Sequence, residues 1–287
     1  MPITNMQKII NVAIAPASDH TSGLELDGLL GFLSDQTGWV FNPIRCKSYE
    51  EALAMLDSGE AKMGWLGSFA SVEISRTGKF EPFAIGLPKN QPTPNYHSVF
   101  ITKADSKIRK LSDVKNRKLI VSNVHSTSGY IVPKRELNDI GINLDSNLEF
   151  PDTIVSQNHD ESIKLLLEGR ADVAAVSSVN LKENINKKTI LIDDIRVIHT
   201  SKPIPGAPLV FSSELSRETK ETIKSLVFSA HEIVQVGGYG GEMERYIDVK
   251  EGNRLFLESY LRPQWRWPTF LGIFIFLLLT TLSILHL

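Results

Sequence analysis

Short apolar runs alternate with amphipathic segments along most of the chain. Residues 9–15 and 39–45 have the length and composition of strands, and the apolar run at 62–66 is typical of a buried strand. Between them, residues 23–38 and 49–58 carry leucine and alanine at helical spacing. Strands that alternate with helices predict βαβ units and a largely parallel sheet.

The same pattern restarts in the second half of the chain. Apolar runs again alternate with amphipathic segments, and glycines follow several of the helical segments. A glycine-rich break at 237–241 follows the last of them. The elements predicted in this half are strands at 118–122, 147–150 and 172–176, and helices at 129–139, 159–168 and 215–236.

One layout occurs twice. Residues 49–66 and 159–176 each run from a helix through a glycine and a charged turn into a buried strand. Two lobes built from the same unit would produce this recurrence, and so would chance similarity between two generic βαβ halves. The sequence leaves both explanations open.

Composition narrows the class of protein. The chain has 287 residues, 31 Lys and Arg against 33 Asp and Glu, and a formal net charge of -2. A nucleic-acid partner normally requires a basic excess, so none is predicted. The single cysteine, Cys46, excludes an intrachain disulfide framework and cysteine-based metal clusters. No cofactor is indicated.

The C-terminal segment differs from the rest of the chain. Residues 268–287 contain no Lys, Arg, Asp or Glu, and Trp265 and Trp267 precede them. About 19 helical residues reach roughly 28 Å, close to the hydrocarbon thickness of a bilayer. We therefore predict a single transmembrane helix at 268–287, with a buried core helix as the alternative. Residues 1–10 show no apolar run typical of a secretory signal.

The sharpest local motif is the run Ser126, Thr127, Ser128 and Gly129 between a predicted strand and a predicted helix. Hydroxyls at a helix N-terminus cap free backbone N–H groups. They can equally donate to a bound anion, assisted by the helix dipole, and Gly129 would let the backbone approach that anion closely. The motif alone is compatible with a simple cap or with an anion site.

Three further side chains are candidate hydrogen-bond donors. His159 stands at the start of a predicted helix, and Tyr49 and Tyr96 lie at element boundaries. Each could donate to a ligand oxygen, and each could equally serve in capping or packing. The sequence contains no nucleophile elbow, phosphate-binding loop or zinc-protease motif, so nothing in it supports an enzyme.

Longer stretches resemble one protein family. Residues 96–115, the run Ser126-Thr-Ser-Gly-Tyr-Ile-Val-Pro133, and Ile204-Pro-Gly206 resemble segments of phosphonate- and phosphite-type substrate-binding proteins of ABC importers. The resemblance covers roughly residues 9–235. It implies a two-lobed α/β fold of the type II periplasmic-binding-protein class. The implied organisation is a first lobe at 8–103, a second lobe at 104–203 and a return to the first lobe at 204–260. The membrane helix predicted from composition at 268–287 would follow these lobes.

The resemblance also implies roles for the candidate residues. Ser126, Thr127 and Ser128 would bind the oxygens of a phosphonate, phosphite or phosphate from the second lobe, together with His159. Tyr49 and Tyr96 would contribute hydroxyls from the first lobe.

Two positions depart from the family pattern. Some aminoalkylphosphonate binders carry a glutamate where this chain has Val179 and an aspartate where it has Ala207. Their absence argues against an aminoalkylphosphonate ligand.

The biological role and the membrane orientation stay open at this stage. The partner would be an ABC permease or a signalling system. A signalling system is considered because importer proteins are rarely anchored at the C-terminus. An enzyme on this fold is the least favoured option. Arg254, Arg262 and Arg266 precede the tail, which favours a cytoplasmic body. The family function requires an extracytoplasmic one, so we hypothesise that translation starts upstream of Met1 with a signal.

Overall fold

The computed structural model describes residues 8–16, 24–145, 152–239 and 241–250. The predicted strand at 147–150 and the predicted membrane helix at 268–287 lie outside these residues. Within the described ranges, no helix is long and apolar enough to cross a bilayer. The strands are β1 Ile9–Ile14, β2 Val40–Arg45, β3 Met63–Trp65, β4 Phe80–Pro88, β5 Asn95–Tyr96, β6 Ser98–Lys103, β7 Leu119–Val121, β8 Ile154–Val155, β9 Val173–Ser177, β10 Ile195–Thr200, β11 Ile204–Pro205, β12 Pro208–Ser212, β13 Gly237–Gly238 and β14 Gly241–Asp248. The helices are α1 Leu24–Thr37, α2 Tyr49–Asp57, α3 Ser68–Arg76, α4 Val132–Asp139, α5 His159–Leu167, α6 Ser178–Asn186 and α7 Arg217–Ser229.

The first lobe is built on a seven-stranded sheet in the order β13-β14-β4-β12-β3-β1-β2. Strands β1, β2 and β3 run parallel, whereas β12, β4 and β14 pair antiparallel. The alternation of side chains along β1 explains how both faces are covered. Ile10, Val12 and Ile14 pack with α1 and α7, and Ala13 and Ala15 pack with α2 and α3.

The second lobe is built on a five-stranded sheet in the order β10-β6-β9-β7-β8. Strands β7, β8 and β9 are parallel, and β6 pairs antiparallel with β9. Leu137 of α4 packs on one face, and Ile163 and Leu166 of α5 pack on the other. The two α/β lobes confirm the predicted fold class.

The boundary between the lobes differs from the sequence-based assignment. That assignment put residues up to 103 in the first lobe, but β6 (Ser98–Lys103) pairs within the second sheet. The chain crosses between the sheets at β5 and returns at β11, and these two short strands pair with each other. A sequence pattern shows that Ser98–Lys103 is a strand but contains no signal for the sheet it joins.

Several predicted elements have different limits in the structure. The helix predicted at 129–139 begins earlier, with a π-helical turn at Thr127–Ile131 that continues into α4. The helix predicted at 215–236 ends at Ser229 and is followed by a 3-10 turn at Ala230–Glu232. Helices α3 and α6 have no counterpart in the prediction, and the predicted glycine-rich break contains β13, which pairs with β14.

The topology positions the candidate site. In each lobe the parallel strands end at one edge of the sheet, and a helix or helical turn begins close behind most of these ends. Ligands of open α/β sheets bind outside the carboxyl ends of the strands. The structure brings residues that follow β1, β2 and β3 opposite residues that follow β7 and β8, so the carboxyl edges of the two sheets share one cleft.

Candidate functional site

A cavity lies between the two lobes, with about 360 Å³ of empty space that includes its opening to solvent. Six of the seven sequence-predicted site residues line it, and Gly129 does not. The six that the structure brings together are Tyr49, Tyr96, Ser126, Thr127, Ser128 and His159. Residues from both lobes therefore converge on one space.

The hydroxyl run forms the wall contributed by the second lobe. Ser126 occupies the N-cap of the π-helical turn, and its Oγ accepts a hydrogen bond from the N–H of Gly129 at 3.1 Å. Thr127 Oγ1 accepts from the N–H of Phe69 in the first lobe at 2.8 Å. Ser126 thus performs the capping role that the sequence allowed, while Thr127 caps a helix of the opposite lobe.

The bond from Phe69 has a local cause. Helix α3 begins after Gly67, which has no side chain to cap the helix. A Cβ at Gly67 would lie 3.1 Å from the hydroxyl of Tyr49, so glycine allows this tyrosine to pack against the turn. Thr127 supplies the missing cap across the cleft.

His159 is held in a defined protonation state. Its side chain is buried, with an exposed fraction of 2%. Its Nδ1 faces the N–H of Ser177 at 3.4 Å, and its Nε2 lies 3.1 Å from Ser128 Oγ. Burial lowers the pKa of His159 to about 4, so the ring is neutral at physiological pH. A ring that accepts at Nδ1 carries its proton on Nε2 and donates it to Ser128, which leaves the Ser128 hydroxyl proton free to point into the cavity.

Burial also fixes the state of the cavity tyrosines. It raises the pKa of Tyr49 and of Tyr96. Hydrogen bonds from nearby hydroxyls lower these pKa values by less than burial raises them; the hydroxyls belong to Ser126 beside Tyr49 and to Thr127 and Ser128 beside Tyr96. Both phenols therefore keep their protons and remain hydrogen-bond donors.

Gly129 has a packing role in the structure. A Cβ at this position would lie 1.6 Å from Ser122 Oγ and 2.8 Å from Ser122 Cβ. The N–H of Ser122 also donates to the carbonyl of Gly129 at 3.0 Å and closes the loop. Glycine is needed here because the loop folds tightly on the end of β7, whereas the sequence suggested a close approach to an anion.

Sequence reasoning missed the aromatic residues of the cavity. Trp65 lies in the run at 62–66 that the pattern predicts to be a buried strand, and Tyr239 lies in the predicted glycine-rich break. The Tyr239 ring meets the rings of Tyr96 and Trp65 edge to face, at centroid distances of 5.1 and 6.5 Å. Its hydroxyl donates to Oδ1 of Asn180 in the second lobe at 2.8 Å. The one sequence signal that could have identified Tyr239 as a site residue is its position between two glycines.

The cavity carries no formal charge of its own. Among the described residues that line it, none is Lys, Arg, Asp or Glu, and His159 is neutral. What faces the space is a set of hydroxyl donors, one imidazole and the N-terminal ends of several helices. This arrangement suits an anion, because the positive ends of helices and charge-assisted hydrogen bonds stabilise it without a counter-ion.

A second group of polar contacts joins the lobes beside the cavity. His125 Nδ1 donates to Glu73 Oε2 at 2.7 Å, and its Nε2 lies 3.7 Å from Glu50 Oε1. The amide of Asn123 donates to the same Glu50 oxygen at 2.9 Å, and this bond lowers the pKa of Glu50. His125 and Asn123 belong to the loop at 122–129 that carries Ser126, Thr127 and Ser128, here called the hydroxyl loop. The two glutamates belong to α2 and α3. These bonds connect a loop of the second lobe to two helices of the first.

Comparison with known proteins gives consistent relatives. A family described as "ABC transporter, phosphonate, periplasmic substrate-binding protein" matches residues 12–240. The phosphonates-binding periplasmic protein of Escherichia coli strain K12 is 27% identical over 199 residues, which cover 67% of this chain and 58% of that protein. The match thus spans little more than half of that relative.

Solved structures show the same fold. A binding-protein component of an ABC phosphonate transporter from Pseudomonas aeruginosa superposes with a TM-score of 0.72 at 21% identity, covering 88% of each chain. PhnD1 from Prochlorococcus marinus, solved in complex with methylphosphonate, superposes with a TM-score of 0.71 at 18% identity, covering 89% of this chain and 97% of that one. Both superpositions confirm the two-lobed periplasmic-binding-protein fold. Because the family match extends over most of the sequence, the chain belongs to the periplasmic phosphonate substrate-binding proteins of ABC transporters, a family of binding proteins and not of enzymes.

Proposed function

We propose that this chain captures a phosphorus oxyanion between its two lobes and delivers it to an ABC-type importer. The ligand is a phosphonate, phosphite or phosphate. The observation that carries the proposal is the uncharged, hydroxyl-lined cavity in which Ser126, Thr127 and Ser128 face two tyrosines across the cleft. Membership of a phosphonate-binding family and the similarity to the phosphonates-binding protein of Escherichia coli support the choice of ligand.

Neutral donors are suited to reversible capture. A hydrogen bond to a charged group contributes about 1.5–3 kcal/mol, and three such bonds supply much of the roughly 8 kcal/mol that a micromolar affinity requires. A lysine or arginine in the same space would add attraction for any anion. The donors instead have fixed directions, which favour a tetrahedral oxyanion over a spherical anion.

Closure of the lobes is part of the proposed mechanism. In the closed arrangement, Thr127 Oγ1 accepts from Phe69 and the Tyr239 hydroxyl donates to Asn180. The Thr127 hydroxyl proton then remains available to the ligand, since the bond from Phe69 uses only the oxygen. A ligand that contacts both lobes stabilises this closed state relative to the open one.

We further propose that the body is extracytoplasmic and that residues 268–287 anchor it. The charge-free composition of that segment supports an anchor, and the periplasmic family supports the location. External protease added to intact cells with a permeabilised outer membrane should degrade the body. A body that survives this treatment would contradict the location.

The same C-terminal segment favours one alternative role. Ligand-binding domains followed by a membrane helix act as input domains of sensors, and residues 268–287 fit that arrangement. Deletion of the gene separates the two roles. Loss of phosphonate uptake with unchanged expression of other genes indicates an importer component. Unchanged uptake with altered expression of other genes indicates a sensor.

Calorimetry of the purified chain tests the proposed ligand. Methylphosphonate, phosphite and phosphate are titrated separately, and we expect saturable binding of at least one at one site per chain. A folded protein that gives no heat with any of the three would refute the proposed function.

A further inference from the structure

Positive charge is concentrated at the end of the second lobe that lies away from the cleft. Strands β7 and β9 begin at this end, where the N–H of Lys118 donates to the carboxylate of Asp172 and the N–H of Asp172 donates to the carbonyl of Lys118, both at 2.9 Å. The segment 103–118 crosses this end, from the last residue of β6 to the start of β7. It contains seven basic and two acidic residues, a net charge of +5, whereas the whole chain has a net charge of -2. The segment 103–118 is called the basic end below.

The local fold turns the basic side chains outward. Ile108, Leu111 and Val114 are buried in the core of the second lobe, where they pack with residues of α4 and β7. This apolar side fixes the segment on the lobe and leaves the residues between in contact with solvent. The exposed basic residues are Lys107, Arg109, Lys110, Lys115, Arg117 and Lys118.

Most of these charges have no carboxylate partner. Asp113, one of the two acidic residues of the basic end, uses its carboxylate to accept the backbone N–H groups of Arg109 and Lys110, at 3.0 and 3.3 Å. Lysines elsewhere on the surface, such as Lys79 and Lys220, form salt bridges. Within the described ranges, five exposed side chains of the basic end form none, namely Lys107, Arg109, Lys110, Arg117 and Lys118. A surface of this kind attracts an anionic partner.

Exposed apolar side chains lie next to the basic end. Leu191 and Ile192 are 60% and 58% exposed in the turn before β10. This turn meets the basic end where the N–H of Ala104 donates to the carbonyl of Asp194 at 2.9 Å. Ile140, which follows α4, is also exposed. Basic residues beside exposed aliphatic side chains are typical of a surface that lies on a membrane, whereas nucleic-acid phosphates would leave the aliphatic groups in water.

The proposed anchor keeps this surface within reach of a bilayer. Residues 251–267 separate the last described strand from the charge-free segment 268–287. A link of that length spans at most about 60 Å when it is fully extended. Such a link allows either lobe to turn toward the lipid, so the charge on the body decides which side faces it.

We propose that the basic end, together with Leu191 and Ile192, docks on the anionic lipid headgroups of the membrane that holds the anchor. The proposal rests on the proposed function only for the location of the body beside a membrane. Each basic residue close to an anionic surface strengthens binding about fivefold, so three of them contribute about 100-fold. The cleft stays clear of the lipid because it lies at the opposite end of the lobe.

Binding of the whole chain to vesicles tests this assignment. The protein is sedimented with vesicles of neutral phosphatidylcholine and with vesicles that contain about 30% phosphatidylglycerol, an anionic lipid. Lipid preference is the ratio of the two partition coefficients, which removes the contribution of an apolar tail that inserts into both. We expect a ratio of about 100 or more at low salt, falling toward one in about 1 M salt, where charges are screened within roughly 3 Å.

Substitutions that neutralise charge separate the basic end from the rest of the chain. The test variant combines Lys107→Gln, Lys110→Gln and Arg117→Gln. The matched control removes three exposed charges outside the basic end, with Lys47→Gln, Lys182→Gln and Arg217→Gln. The test variant should lower the lipid preference at least about tenfold, and the control should change it less than about threefold. Urea denaturation of each variant shows that it is folded.

The outcomes distinguish this proposal from the proposed function. Equal partition of the unmodified chain into both kinds of vesicle would overturn the lipid contact. An equal loss of preference in the test and control variants, or no loss in the test variant, would also overturn it, because the preference would then arise from net charge or from the tail. Binding of the basic end to an RNA oligonucleotide but not to vesicles would overturn the choice of lipid. Each of these results leaves ligand capture in the cleft intact, which calorimetry with methylphosphonate, phosphite and phosphate tests separately.

Discussion

Protonation of His159 should destabilise the folded protein. The ring is buried, and its Nδ1 faces the N–H of Ser177, so a proton added there would point at another donor. Burial lowers the pKa of His159 in the folded state to about 4, against about 6.5 for an exposed histidine. Between these two values the unfolded chain binds a proton that the folded chain does not.

The sign and size of the effect follow from proton linkage. Since the unfolded state binds more protons in this window, the free energy of unfolding falls as pH falls, by about 1.4 kcal/mol per pH unit. The full loss from pH 6.5 to pH 4 is about 3 kcal/mol. Above pH 6.5 this contribution is complete and independent of pH.

Urea denaturation at several pH values from 7.5 to 4.5 measures this dependence. His159→Gln should lack the His159 contribution, so the stability difference between the two proteins should change across the window. His231→Gln removes an exposed histidine and serves as the control that keeps the original dependence. Parallel curves for the unmodified chain and His159→Gln, or an NMR titration midpoint of His159 near 6.5, would refute the buried neutral ring and the hydrogen-bond direction derived from it.

Three further substitutions test separate parts of the site. Thr127→Val removes the hydroxyl at nearly constant volume and should weaken oxyanion binding by about 1.5–3 kcal/mol in calorimetry, whereas Thr127→Ser should retain most of the affinity; equal binding by the valine variant would exclude a contact to the ligand. Glu73→Gln removes the charged partner of His125 across the cleft, and we expect weaker ligand binding and a more open particle by small-angle scattering, with an unchanged scattering curve as the contrary result. Gly129→Ala forces a Cβ into the serine beneath it and should lower the free energy of unfolding by about 1–3 kcal/mol in urea, and undiminished stability would show that the loop packs differently.

Local sequence signals predicted much of the candidate site. The hydroxyl loop lies between a strand and a helix, and His159 lies at the start of a helix. Such boundaries can be predicted because they depend on residues that are adjacent in the chain. Once the strands are parallel, their carboxyl ends meet at one edge, so the topology brings such residues together. Tyr49 follows the same logic in the first lobe.

Other parts of the site depend on contacts between distant residues. Tyr239 reaches the cavity only because the chain returns to the first sheet after residue 204 and pairs β14 with β4. The bond between Phe69 and Thr127 exists only when the lobes meet. The role of Gly129 depends on the position of Ser122, seven residues earlier, on a strand end that folds back beneath the turn. None of these relations leaves a periodic pattern in the sequence.

A crystal structure of the protein with methylphosphonate tests the central claim most directly. The account predicts a phosphonyl group in the cleft, with its oxygens within about 2.6–3.0 Å of the hydroxyls of Ser126, Thr127 and Ser128. A ligand bound outside the cleft, or held in it by other residues while these hydroxyls face away, would contradict the account.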